Sequence, residues 1–64
     1  MKYKAGQSIN MKDGCSLNIY KVDLEENSID AVLIIPSKPH SEFDPYIDVP
    51  ESTIDSIISR HNWR

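Results

Sequence analysis

The chain of 64 residues has one cysteine, two glycines, one phenylalanine and one tryptophan. A single thiol, Cys15, excludes an intramolecular disulfide and with it the disulfide-stapled secreted class; it fits a reducing compartment, so the expected location is cytoplasmic. No stretch approaches the roughly 18 apolar residues needed to span a bilayer, and Met1 to Lys4 leads into no signal-peptide apolar segment, so no membrane role is expected. With Gly6 and Gly14 as its only glycines, the sequence has no glycine-rich phosphate loop. Positive charge is scarce as well. Ten acidic against seven basic side chains give a formal charge of -3, which works against generic nucleic-acid binding and suits a basic partner surface.

What remains is enough for one small domain spanning residues 1–64. A chain this short buries only about 60% of the surface its unfolded state exposes, so reinforcement by a homo-oligomer or a larger protein partner is expected. The organising stretch is Ala31 to Ile35, an apolar run with β-branching at Val32, Ile34 and Ile35, stopped by Pro36. It is too short for a helix and reads as a central strand with apolar side chains on both faces.

On the N-terminal side, Gln7, Ile9 and Met11 alternate toward an Asp13-Gly14 turn. A two-residue loop would set Ile9 opposite Asn18 and mix polar with apolar on each face. A three-residue loop, Lys12-Asp13-Gly14 with Gly14 left-handed in a bulge, sets Ile9 opposite Leu17 and keeps one face apolar, so this register is expected. Leu17 and Ile19 continue the alternation, but Val22 and Leu24 fall on the other parity, which implies a bulge near Tyr20 and Lys21 or a bend from one sheet into another. Pairing Leu24 with Ile29, Val22 with Ala31 and Tyr20 with Leu33 brings apolar faces together, at the cost of setting Asp23 opposite Asp30.

Residues 36–45 read as a Pro-rich surface loop whose only large apolar side chain is Phe43. Tyr46 to Val49 then reads as a short strand with Ile47 and Val49 inward, ended by Pro50. Ser52 can cap a helix with Asp55 three residues later, and Ile54, Ile57, Ile58 and His61 follow helical spacing; a last strand through Ile57 to Trp63 competes with that reading. Residues 60–64 form a polar and aromatic tail.

The fold class implied is mainly β: a strongly curved antiparallel sheet or barrel of four to five short strands with a C-terminal helical turn or short helix. On Gly6 to Gly14, Val22-Asp23, Asn27 to Ile35 and Ile47 to Ile54, the chain resembles small bacterial and phage SH3-like barrels of KOW type. The resemblance implies that fold and a binding role, toward nucleic acid, ribosomal or polymerase surfaces, or other proteins. The long Pro-rich loop, the acidic balance and the Arg-His-Asn-Trp-Arg tail depart from it.

No motif carries chemistry. Cys15, His40, His61 and the carboxylates fall in no spacing that pairs a nucleophile with a base and an orienting group, so no enzyme is expected. Cys15 is read as a small apolar residue facing Met11. Cys15, His40 and His61 lack a fourth ligand and any familiar ligand pair, so neither a metal nor a cofactor is expected. Asp23, Glu25, Glu26 and Asp30 gather around one hairpin without the alternating ligand loop of a calcium site, and are read as solubility and edge protection.

The expectation is therefore a non-enzymatic protein-interaction module, a small bacterial or phage regulator or inhibitor docking on a larger protein. Phe43, Tyr46, Arg60, Trp63 and Arg64 are its candidate protein-binding residues, because aromatics and arginines most often anchor interfaces. The alternative is a nucleic-acid- or ribosome-associated module using Lys2, Lys4, Arg60, His61, Trp63 and Arg64, with Trp63 stacking a base.

Overall fold

The computed structural model describes residues 1–62 apart from Lys38. Four strands, β1 (Ser8–Asn10), β2 (Ser16–Asp23), β3 (Ser28–Ile35) and β4 (Glu42–Pro50), form one antiparallel sheet in the order β1-β2-β3-β4. One helix among the described residues, α1 (Glu51–Asn62), follows directly. The sheet is an open meander with β1 and β4 at its edges, so the barrel expected as one alternative does not form.

The first hairpin closes as its turn chemistry requires. Gly14 donates its N–H to the Met11 carbonyl at 3.1 Å and Met11 donates to the Cys15 carbonyl at 2.8 Å, with Gly14 at φ +94°. This is a type I turn followed by a left-handed bulge residue. Ile9 stands opposite Leu17 and Asn10 opposite Ser16, the register that keeps the apolar alternation in phase. A second tight turn, Lys4 to Gln7, has Gly6 at φ +87° in its third position and brings the N-terminal residues back toward α1.

Between β2 and β3 the pairing differs from the expected one. Leu17 faces Leu33 and Ile19 faces Ala31, the register shifts across Tyr20, and Val22 then faces Ile29. Placing the extra residue at Tyr20 restores the lost parity of Val22, which packs against the core, and leaves Tyr20 62% exposed. The connection is the four-residue turn 24–27. Asp23 anchors it, its Oδ1 accepting the N–H groups of Glu25 at 3.0 Å and Glu26 at 3.2 Å, while Asn27 adopts φ 53°. Leu24, expected opposite Ile29, is in this turn and 69% exposed. The shift also sets Asp30 opposite Lys21 and Asp23 opposite Ser28, which removes the like-charge pair of the expected register.

Strand β4 begins at Glu42, so the last four residues of the segment read as loop, Glu42 to Pro45, are paired with β3. Within it a second bulge overturns one of the two expected inward residues, Ile47, and keeps the other, Val49. Ile29 faces Val49 and Ala31 faces Tyr46, leaving Ile47 and Asp48 opposite Asp30 alone. Asp48 takes φ 53° and donates its N–H to Asp30 Oδ1 at 2.8 Å, a side-chain bond replacing the missing ladder bond. Tyr46 and Val49 therefore turn toward the core, and Ile47, expected inward, is exposed.

Helix α1 continues from β4 without a loop. It starts at Glu51, one residue before the expected Ser52 cap, and Asp55 bonds to the N-terminal segment instead of completing a capping box. Helical geometry holds through Asn62, which excludes the alternative of a last strand and makes the first three residues of the expected tail helical. Ile54 and Ile57 are fully buried against Leu17, Ile19, Ile29, Ala31 and Leu33. Helix and N-terminal segment together cover this face. Tyr3 donates its hydroxyl to Asp55 Oδ1, Lys2 Nζ pairs with the same oxygen at 2.9 Å, and the Lys2 N–H donates to Glu51 Oε1 at 2.9 Å. Among the described residues no helix is long and apolar enough to cross a membrane.

Candidate functional site

Residues directly opposite on neighbouring strands share a face, and faces alternate along each strand. Since Leu17, Ile19, Ala31 and Leu33 point to α1, the pairs Ser16–Ile34, Asn18–Val32, Ile34–Phe43 and Val32–Pro45 lie on the opposite face, which α1 does not cover. That face is divided. Its β1–β2 half is polar, with Ser8 donating its hydroxyl to Asn18 Oδ1 at 2.8 Å, and its β3–β4 half carries Val32, Ile34, Phe43 and Pro45. Val32 and Ile34 are half-buried, and Phe43 is 66% exposed.

Of the candidate binding residues of the sequence, the described ones, Phe43, Tyr46 and Arg60, do not share one face of the sheet. Phe43 lies on the uncovered face. Tyr46, opposite the buried Ala31, lies on the helix-covered face, half-buried against the core with its hydroxyl donating to Asp44 Oδ2 at 3.2 Å. Arg60 is exposed on the last turn of α1, on that same side of the sheet. Trp63 and Arg64 lie outside the described residues. Val32 and Ile34, read as core because they sit in the central run, are the residues that reasoning missed. Their alternation with Leu33 and Ala31 was the available signal, once only one face of the sheet is known to be covered.

A second cluster forms where the β1–β2 turn meets the end of α1. The Asp13 N–H donates to the His61 carbonyl at 3.3 Å, and the Lys12 N–H donates to Asn62 Oδ1 at 2.7 Å. Those bonds bring the Asp13 carboxylate to His61, with Oδ2 and Nδ1 2.6 Å apart. The other oxygen, Oδ1, accepts the Cys15 N–H at 3.0 Å. Donor atoms of Asp13, Cys15 and His61 all lie within 4.8 Å of one another. The Cys15 hydrogen bond and, next, His61 hold the Asp13 carboxyl below its usual range. Burial pushes the Cys15 thiol up, and the Asp13 carboxylate beside it pushes the same way. A thiol so held is the reverse of an activated nucleophile, which needs a cationic neighbour. His40, grouped with Cys15 and His61 in the sequence, is exposed in the β3–β4 connection.

No family model matches the chain, no curated protein matches it, and no solved structure matches it.

Proposed function

We propose that this chain is a small non-enzymatic protein-interaction module of the cytoplasm, a regulator or inhibitor of bacterial or phage type that docks on a larger protein. The observation that carries the reading is Phe43, 66% exposed beside Ile34 on the sheet face that α1 does not cover. An aromatic anchor beside β-branched residues is the composition of an interface centre. Docking uses the face, not the edge: along β4 the acidic side chains of Asp44 and Asp48 and the ring of Pro45, which has no N–H to donate, discourage strand addition. The partner has an apolar patch complementary to Val32, Ile34 and Phe43. The kinship to SH3-like, KOW-type chains stays part of this proposal; the Lys12-Asp13-Gly14 turn and the bulged meander support it, and the open sheet counts against it. The nucleic-acid alternative is less favoured, since Lys2, one of its cations, has its Nζ paired with Asp55 at 2.9 Å.

The test is affinity capture from the native host with the wild-type chain and Phe43→Ala, followed by titration of the purified partner. Phe43→Ala is expected to weaken the complex by more than about 1 kcal/mol while leaving the thermal midpoint nearly unchanged. Equal affinity for the variant, or a lowered midpoint with affinity per folded molecule intact, would remove this face from consideration.

A further inference from the structure

We propose that Asp13, Cys15 and His61 form a zinc site that staples the C-terminal end of α1 to the β1–β2 turn. The donor set is one sulfur, one nitrogen and one oxygen, a combination that suits zinc, whereas calcium and magnesium take oxygen ligands. Three protein ligands leave the fourth tetrahedral position to water. In a tetrahedral zinc site, donor atoms about 2.0–2.3 Å from the metal stand roughly 3.4 Å from one another. The three donors here lie within 4.8 Å, and the Asp13–His61 pair, hydrogen-bonded at 2.6 Å, opens by less than about an ångström through a small side-chain rotation to admit the ion.

The surroundings hold the ligands in place independently of any metal. Gly14, at φ +94°, folds Asp13 and Cys15 back on each other. The Cys15 N–H fixes the Asp13 carboxylate, and the Asp13 N–H on the His61 carbonyl keeps the helix end at the turn. Such outer contacts orient ligands before binding. Small domains commonly gain stability from a structural metal, and this one joins elements 48 residues apart in sequence.

The untagged chain, fully reduced and metal-free, is titrated with Co(II) as a spectroscopic probe and then with Zn(II). Saturation at one equivalent is expected, with tetrahedral d–d bands and a thiolate-to-cobalt charge-transfer band, both bleached by one equivalent of Zn(II). His61→Gln is expected to weaken binding at least tenfold and Cys15→Ser to abolish the charge-transfer band, while His40→Gln binds as the wild type does. Asp13→Asn repeats the test should His61→Gln fail to fold by circular dichroism. The proposal is overturned if no charge-transfer band develops, if the folded His61→Gln or Asp13→Asn variant binds as tightly as the wild type, or if His40→Gln abolishes binding. The outcome is independent of the Phe43 face.

Discussion

The chain has three leucines, Leu17, Leu24 and Leu33, and the β2–β3 register buries the first and last against each other and leaves Leu24 in the turn, so the same substitution at each reads that register directly. Leu17 is 0% exposed, Leu33 3% and Leu24 69%. Replacing leucine by alanine removes three carbons, about 2.4 kcal/mol of burial at ~0.8 kcal/mol per methylene. The cavity left behind adds to this, and buried leucines therefore lose roughly 2.7–5 kcal/mol. Leu24 has about a third of its side chain to lose from contact, so Leu24→Ala costs less than about 0.8 kcal/mol. For 64 residues the whole stability is about 3–10 kcal/mol, so Leu17→Ala or Leu33→Ala consumes much of it. Urea unfolding followed by circular dichroism, with sulfate added to every sample to keep the weaker variants folded, measures the series. At a slope near 1 kcal/mol per molar, the midpoint is expected to fall by about 3 M or more for the buried leucines and by less than about 1 M for Leu24. A Leu24→Ala variant as damaged as Leu33→Ala would place Leu24 in the core and refute the bulge at Tyr20.

Gly14 sits at φ +94° with only Pro36 Cγ, at 4.0 Å, near an added Cβ, so Gly14→Ala meets backbone strain without a clash. A loss of about 1–2 kcal/mol in urea unfolding is expected, and no loss would mean that the hairpin uses another turn. The bond from Tyr3 and, next, the bond from Lys2 hold the Asp55 carboxyl below its usual range, and Asp13 is held low at the turn. A carboxyl whose folded value is depressed contributes stability that is fully present above its unfolded value, near about 3.9, and is lost as pH falls further. The thermal midpoint should therefore drop as pH falls below about 4, less steeply for Asp55→Asn than for the wild type; parallel acid profiles for the two would show that these bonds do not couple to folding.

The first three strands and the first turn were legible because their signals are local to the chain. Alternation with period two and the steric need for a left-handed Gly14 were enough to set Ile9 opposite Leu17, whereas isoleucines at helical spacing pointed to a buried helix face but left a last strand through Ile57 to Trp63 open. The parity break after Ile19 showed in the sequence, too, and placed a bulge near Tyr20 and Lys21, where the register shifts. The β4 bulge, by contrast, was decided by groups distant along the chain: the Asp30 carboxylate meets the Asp48 N–H, and Tyr46 turns inward and Ile47 outward, against the plain alternation read from 46–49. Likewise, no spacing rule predicts that His61 meets Asp13, because their approach depends on how α1 lies across the sheet. The coverage of one sheet face and not the other is also a tertiary outcome. Val32 and Ile34 have the composition of core residues, and only the placement of a single helix leaves them, with Phe43, on the open side.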